Sequence, residues 1–242
     1  MKAVLELMTN YQEFASMDDL TVALSDQIAR TLAAAIEARG KAVLAVSGGS
    51  TPEPVYRQLS FAPINWSKVT IVLVDDRWVD PGLAGSNETF VRNCLLQDLA
   101  AKARFVGLKT PHGTPAEAVD AVNERLAILS RPFDAVVLGM GNDGHTASWF
   151  PEAEGLEAAL NDDTLMAAAV TAERSDITGP FVERMTLTRS ALRGARFTAL
   201  LLKGTDKRSS WARVIGPGPI EEMPVRALLN DPAIDLSICW AP

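Results

Sequence analysis

Short apolar runs, separated by segments with helical spacing, constrain this chain more than any other feature. The runs cover residues 4–8, 42–46, 69–74, 104–107, 133–138, 165–170, 197–202 and 235–240. Most are apolar at consecutive positions rather than alternate ones. That is the pattern of strands buried on both faces, as in a parallel sheet covered by helices. The intervening segments carry helix signals. Ser16 and Asp19 form a capping pair ahead of Leu20, Leu24, Ile28 and Leu32, and Gly40 provides the stop. Thr114-Pro115-Ala116-Glu117 places a cap, a first-turn proline and a third-position acid in order. Strand and helix in alternation predict an α/β fold with a mostly parallel central sheet. With 242 residues and no repeat or long linker, residues 1–242 are read as a single domain.

The net charge of −7 argues against non-specific nucleic-acid binding. No apolar run approaches the roughly 20 residues of a membrane helix. Glu6 interrupts the apolar N-terminus, so no signal peptide is expected. Cys94 and Cys239 lack metal-type spacing and read as reduced thiols of a cytoplasmic protein.

Four segments can carry chemistry. The first is Gly139-Met140-Gly141-Asn142-Asp143-Gly144-His145, which follows the 133–138 run. Open α/β sheets bind ligands at the carboxyl ends of their strands, and a histidine there suits proton transfer near neutral pH. A core histidine satisfied by its neighbours is the alternative. Gly139, Gly141 and Gly144 match a dinucleotide fingerprint, but Pro151 interrupts the helix that should follow and no suitably spaced acid ends a next strand. A Gly-x-Ser-x-Gly nucleophile elbow is absent.

The second segment is Ser47-Gly48-Gly49-Ser50-Thr51-Pro52, between a strand and a short helix. Converging backbone N–H groups and the helix N-terminus suit a phosphate; a tight turn is the alternative. The third is Asp75-Asp76-Arg77, where Arg77 either holds a phosphate in bidentate fashion or closes the strand end by pairing with an aspartate. The fourth is the basic pair Arg184 and Lys207, with Thr205 as a candidate cap for the helix carrying Lys207.

Taken in order, these segments, with Ser86-Asn87, the Thr146-Ala147-Ser148-Trp149-Phe150-Pro151 continuation and Met185-Thr186-Leu187-Thr188, resemble the 6-phosphogluconolactonase family. The resemblance implies a Rossmann-like three-layer αβα fold shared with glucosamine-6-phosphate deaminases. It also implies hydrolysis of 6-phospho-D-glucono-1,5-lactone to 6-phosphogluconate in the oxidative pentose phosphate pathway, with no cofactor and no metal. The deaminases carry a glutamate five positions after the histidine, where this chain has Phe150. Phosphosugar-sensing regulators share related folds, but they normally accompany a DNA-binding helix-turn-helix, for which this acidic chain shows no obvious segment.

On that resemblance, His145 is the expected general base and Asp143 orients or charges its imidazole. Gly48, Gly49, Ser50, Thr51, Arg77, Asn142, Arg184 and Lys207 are the expected substrate-binding set. The expected partner is a small phosphosugar lactone, with neither nucleic acid nor membrane involved, acting from a monomer or homodimer.

Overall fold

The computed structural model describes residues 10–242. Seven parallel strands form the central sheet, in the order β1 (Tyr11–Glu13), β10 (Leu236–Ala241), β9 (Thr198–Lys203), β6 (Ala135–Gly139), β2 (Ala42–Val46), β3 (Val69–Leu73) and β5 (Arg104–Val106). The inner strands are apolar at nearly every position and almost wholly buried, because helices cover the sheet. The longest helix, α1 (Met17–Arg39), turns Leu20, Leu24, Ile28, Leu32 and Ala35 inward and packs on β2, β6 and β10. Ser16 Oγ accepts the Asp19 N–H at its start, and Gly40, in the left-handed region, ends it.

Chain order and sheet order together fix where a ligand can sit. From β2 the chain builds outward through α2 (Glu53–Leu59) to β3 and then β5. It then returns through α4 (Pro115–Leu126), opened by a full capping box at Thr114 and Glu117, to place β6 on the other side of β2. β9 and β10 extend that second side. The reversal between β2 and β6 leaves a crevice beyond their carboxyl ends. The loops that leave there are those of Gly48 and His145.

A second sheet differs from the expected plan. The strands β4 (Asp75–Arg77), β8 (Glu183–Leu187) and β7 (Ala167–Thr171) pair antiparallel, in that order. The 165–170 run is therefore a strand of this small sheet and not of the parallel one. Between β4 and β8 in sequence lie α3 (Asn87–Cys94), α4 and the short α5 (Leu156–Asn161). After β8 come α6 (Arg189–Leu192), α7 (Gly204–Val214) and α8 (Arg226–Leu229). Thr205 does not cap α7. Gly204, at φ +83°, turns the chain directly from β9 into the helix, so Lys203 occupies the cap position without a side-chain bond. The expected strand over residues 4–8 lies outside the described residues. Among the described residues, no helix is long and apolar enough to cross a membrane.

Candidate active site

A cavity of about 400 Å³ opens beyond the carboxyl ends of β2, β6 and β9. Its floor is the loop after β6. There, the Gly141 N–H donates to the His145 carbonyl at 2.8 Å and folds the chain back on itself. The return brings the Asp143 and His145 side chains over Gly141. A Cβ at position 141 would collide with His145 Nδ1 and Asp143 Oδ1, so glycine is required by close approach. Ser210 Oγ (3.1 Å) and Arg213 Nη2 (2.5 Å) of α7 donate to the Asn142 carbonyl and tie the loop to that helix.

His145 Nδ1 lies 2.7 Å from Asp143 Oδ1. Burial pushes the Asp143 carboxyl up, but the hydrogen bond and charge of His145 outweigh it and hold the group below its ordinary value. Asp143 is thus a carboxylate, and Nδ1 carries the proton it accepts. That tautomer leaves the Nε2 lone pair unused, and His145 lines the cavity whereas Asp143 stands behind it.

The wall opposite is the loop after β2. The N–H groups of Gly48, Gly49, Ser50 and Thr51 donate to no other described residue. Ser47, only 6% exposed, has a hydroxyl without a partner among the described residues. A buried hydroxyl left free in this way calls for a ligand or ordered water, and the N–H groups beside it stand open to the same space. Gly48 must be glycine because Asn87 Oδ1 sits where its Cβ would be.

The third wall is the antiparallel sheet. Arg77 and Arg184 are directly opposed across β4 and β8, an arrangement that like charges disfavour. Neither forms an ion pair among the described residues. Arg77 Nη1 donates to the Gly85 carbonyl at 2.9 Å and to Asn87 Oδ1 at 2.8 Å, so the strand-end Asp–Arg pair does not form. Arg184 is 4% exposed and donates to the carbonyls of Phe181 (3.1 Å) and Thr178 (2.8 Å). Burial brings its pKa down to about 10, against the pull of Asp75. Asp75 accepts from Ser148 Oγ at 2.6 Å, and its backbone carbonyl accepts from Asn87 Nδ2 at 2.9 Å. Lys203 and Lys207, one turn apart at the start of α7, complete the rim. Burial lowers the pKa of Lys207, with Asp143 opposing the shift. Four cations without ion-pair partners among the described residues therefore face one cavity that holds a single aspartate, Asp75. The site suits an anion held beside a histidine that can accept a proton.

The model for glucosamine-6-phosphate isomerases and 6-phosphogluconolactonase matches residues 15–237. The chain belongs to this family. A 6-phosphogluconolactonase of Rhizobium meliloti is 44% identical over 236 residues, covering 98% of this chain and all of the relative. The crystal structure of a 6-phosphogluconolactonase from Shewanella baltica shares 40% identity at a TM-score of 0.90, covering 96% of this chain and 97% of that one. A monomeric glucosamine-6-phosphate deaminase, 18% identical with a TM-score of 0.75 over 96% of this chain and 97% of its own, shares the fold.

Within this isomerase/lactonase chain, nine of the ten residues expected at the site line the cavity: Gly48, Gly49, Ser50, Thr51, Arg77, Asn142, His145, Arg184 and Lys207. Asp143, the tenth, supports the histidine from behind. Asp75, Asn87, Lys203 and Ile177 also line the cavity and were not among the expected set. Asp75 and Asn87 lie in segments already singled out. Lys203 ends an apolar run, as a strand-end cation facing a site does. Ile177 sits in a polar loop with no sequence signal of its own.

Proposed function

We propose that the protein hydrolyses 6-phospho-D-glucono-1,5-lactone to 6-phosphogluconate, the lactonase step of the oxidative pentose phosphate pathway, in the cytoplasm and without a cofactor. The names of its relatives support the activity. The observation that carries the chemistry is the His145 Nε2, left free by the Asp143 bond, beside a cavity rimmed by Arg77, Arg184, Lys203 and Lys207.

Nε2 takes a proton from water as the water oxygen attacks the lactone carbonyl. Asp143 stabilises the imidazolium that results. The tetrahedral oxyanion collapses, the bond from C1 to the ring oxygen breaks, and that oxygen receives the proton from the imidazolium. Free N–H groups of the Gly48–Thr51 loop and the four cations hold the phosphate. A phosphate remote from the reacting carbon fixes the position of the lactone and so lowers the barrier at C1.

The test is hydrolysis of freshly generated lactone, coupled to 6-phosphogluconate dehydrogenase, above the spontaneous rate. Acceleration that His145→Ala removes supports both reaction and base. An unchanged rate in that variant overturns the base. No acceleration by the wild-type protein overturns the activity, and ammonia release from glucosamine 6-phosphate is then the assay to run.

A further inference from the structure

Phe150 does not line the cavity, yet it touches both kinds of group that do. Its ring centroid lies 4.2 Å from that of His145, tilted by 35°. The guanidinium carbon of Arg184 lies 4.8 Å from the same ring. We propose that Phe150 is a positioning residue, a shared aromatic wall that fixes the plane of the His145 imidazole and the seat of the Arg184 guanidinium together. The proposal rests on His145 and Arg184 serving the proposed hydrolysis.

One hydrogen bond cannot orient a ring. The contact between Nδ1 and Asp143 fixes one atom and leaves the imidazole free to swing about it. The Gly141 backbone supplies a second contact, since the imidazole occupies the space of its missing Cβ. Phe150 supplies the third, against the ring itself. Three separate contacts fix the direction of Nε2, and near-attack geometry depends on that direction.

The wall is itself buried and anchored. Phe150 is 3% exposed. The segment leading to it is pinned at Ser148, which donates to Asp75, and at Trp149, whose Nε1 donates to the Leu187 carbonyl at 2.9 Å. Both anchors belong to the antiparallel sheet that carries Arg77 and Arg184. The ring also gives the buried Arg184 a negative π face, where no carboxylate pairs with it. A cation seated on that face stays at the cavity wall and away from the Asp143 carboxylate, which must remain available to His145.

An aliphatic side chain of similar volume would fill the space without a flat face. The expected result for Phe150→Leu is a kcat lower by about tenfold or more, from the freed imidazole, together with a weaker affinity for inorganic phosphate, from the unseated Arg184. Phe150→Tyr keeps the ring and should restore most of the lost kcat. In NMR, the carbon-bound ring protons of His145 should give one sharp set of signals in the wild type and in Phe150→Tyr, and signals broadened by exchange between ring orientations in Phe150→Leu. If the leucine variant fails to fold, Phe150→Met replaces it. Wild-type kcat with one sharp set of His145 ring signals in the aliphatic variant would overturn the proposal, as would equal losses in the aliphatic and tyrosine variants. The NMR comparison needs no turnover. It decides the role of Phe150 even if the protein proves not to hydrolyse the lactone.

Discussion

Truncating His145 and truncating Arg77 should damage the protein in different ways. His145→Ala removes the only imidazole at the cavity, and kcat should drop by about 10²–10⁴-fold while phosphate affinity persists. Arg77→Ala removes a donor on the rim, so KM should rise with kcat largely kept; an unchanged KM in steady-state assays would contradict its role. His145 was legible in the sequence because it stands among glycines at the end of an apolar run, and Arg77 because it leaves such a run together with two carboxylates. Phe150 was legible only as an absence, the place where a glutamate might have been. Nothing local distinguishes an aromatic wall from an ordinary core residue.

Among the elements, the parallel strands were legible and the antiparallel ones mostly were not, for one physical reason. A strand buried on both faces announces itself by consecutive apolar residues, as 42–46 and 197–202 do. β4 is Asp-Asp-Arg and β8 is Glu-Arg-Met-Thr-Leu. Their polar side chains are satisfied inside the site, by Ser148, by Asn87 and by loop carbonyls, so no hydropathy pattern marks them. Ser148→Ala should therefore cost about 1–3 kcal/mol, by leaving the buried Asp75 carboxylate short of a donor; chemical denaturation measures it. Asp76 sits in the same strand and accepts the N–H groups of Arg77, Asn87 and Glu88, which holds the start of α3. Burial outweighs those bonds and pushes its pKa up to about 7. A carboxyl raised above its unfolded value of about 4 stabilises the fold most at low pH and loses that contribution as pH rises toward 7. Relative to Asp76→Asn, the wild type should lose stability across that interval and show no further change above it.

At the scale of the whole molecule, the site draws on residues from Ser47 to Lys207, brought together by the reversal between β2 and β6. The reversal itself is not written in any segment. Alternation implies the layers, but no segment marks which strand β6 will pair with, and the α4 helix of the crossover packs on β7 of the antiparallel sheet. We propose that residues 1–242 form one domain, and thermal unfolding followed by circular dichroism and by tryptophan fluorescence should give coincident single transitions. Two separated transitions would assign the antiparallel sheet to an independent unit.

The clamp on the loop after β6 has a bearing on how such a protein can diversify. Ser210 and Arg213 grip the backbone oxygen of residue 142, not its side chain. The grip is blind to which amino acid stands there, although residue 142 also lines the cavity. Descendants of this gene can exchange Asn142 and keep the scaffold in register, so a library meant to accept differently substituted lactones should begin at that codon.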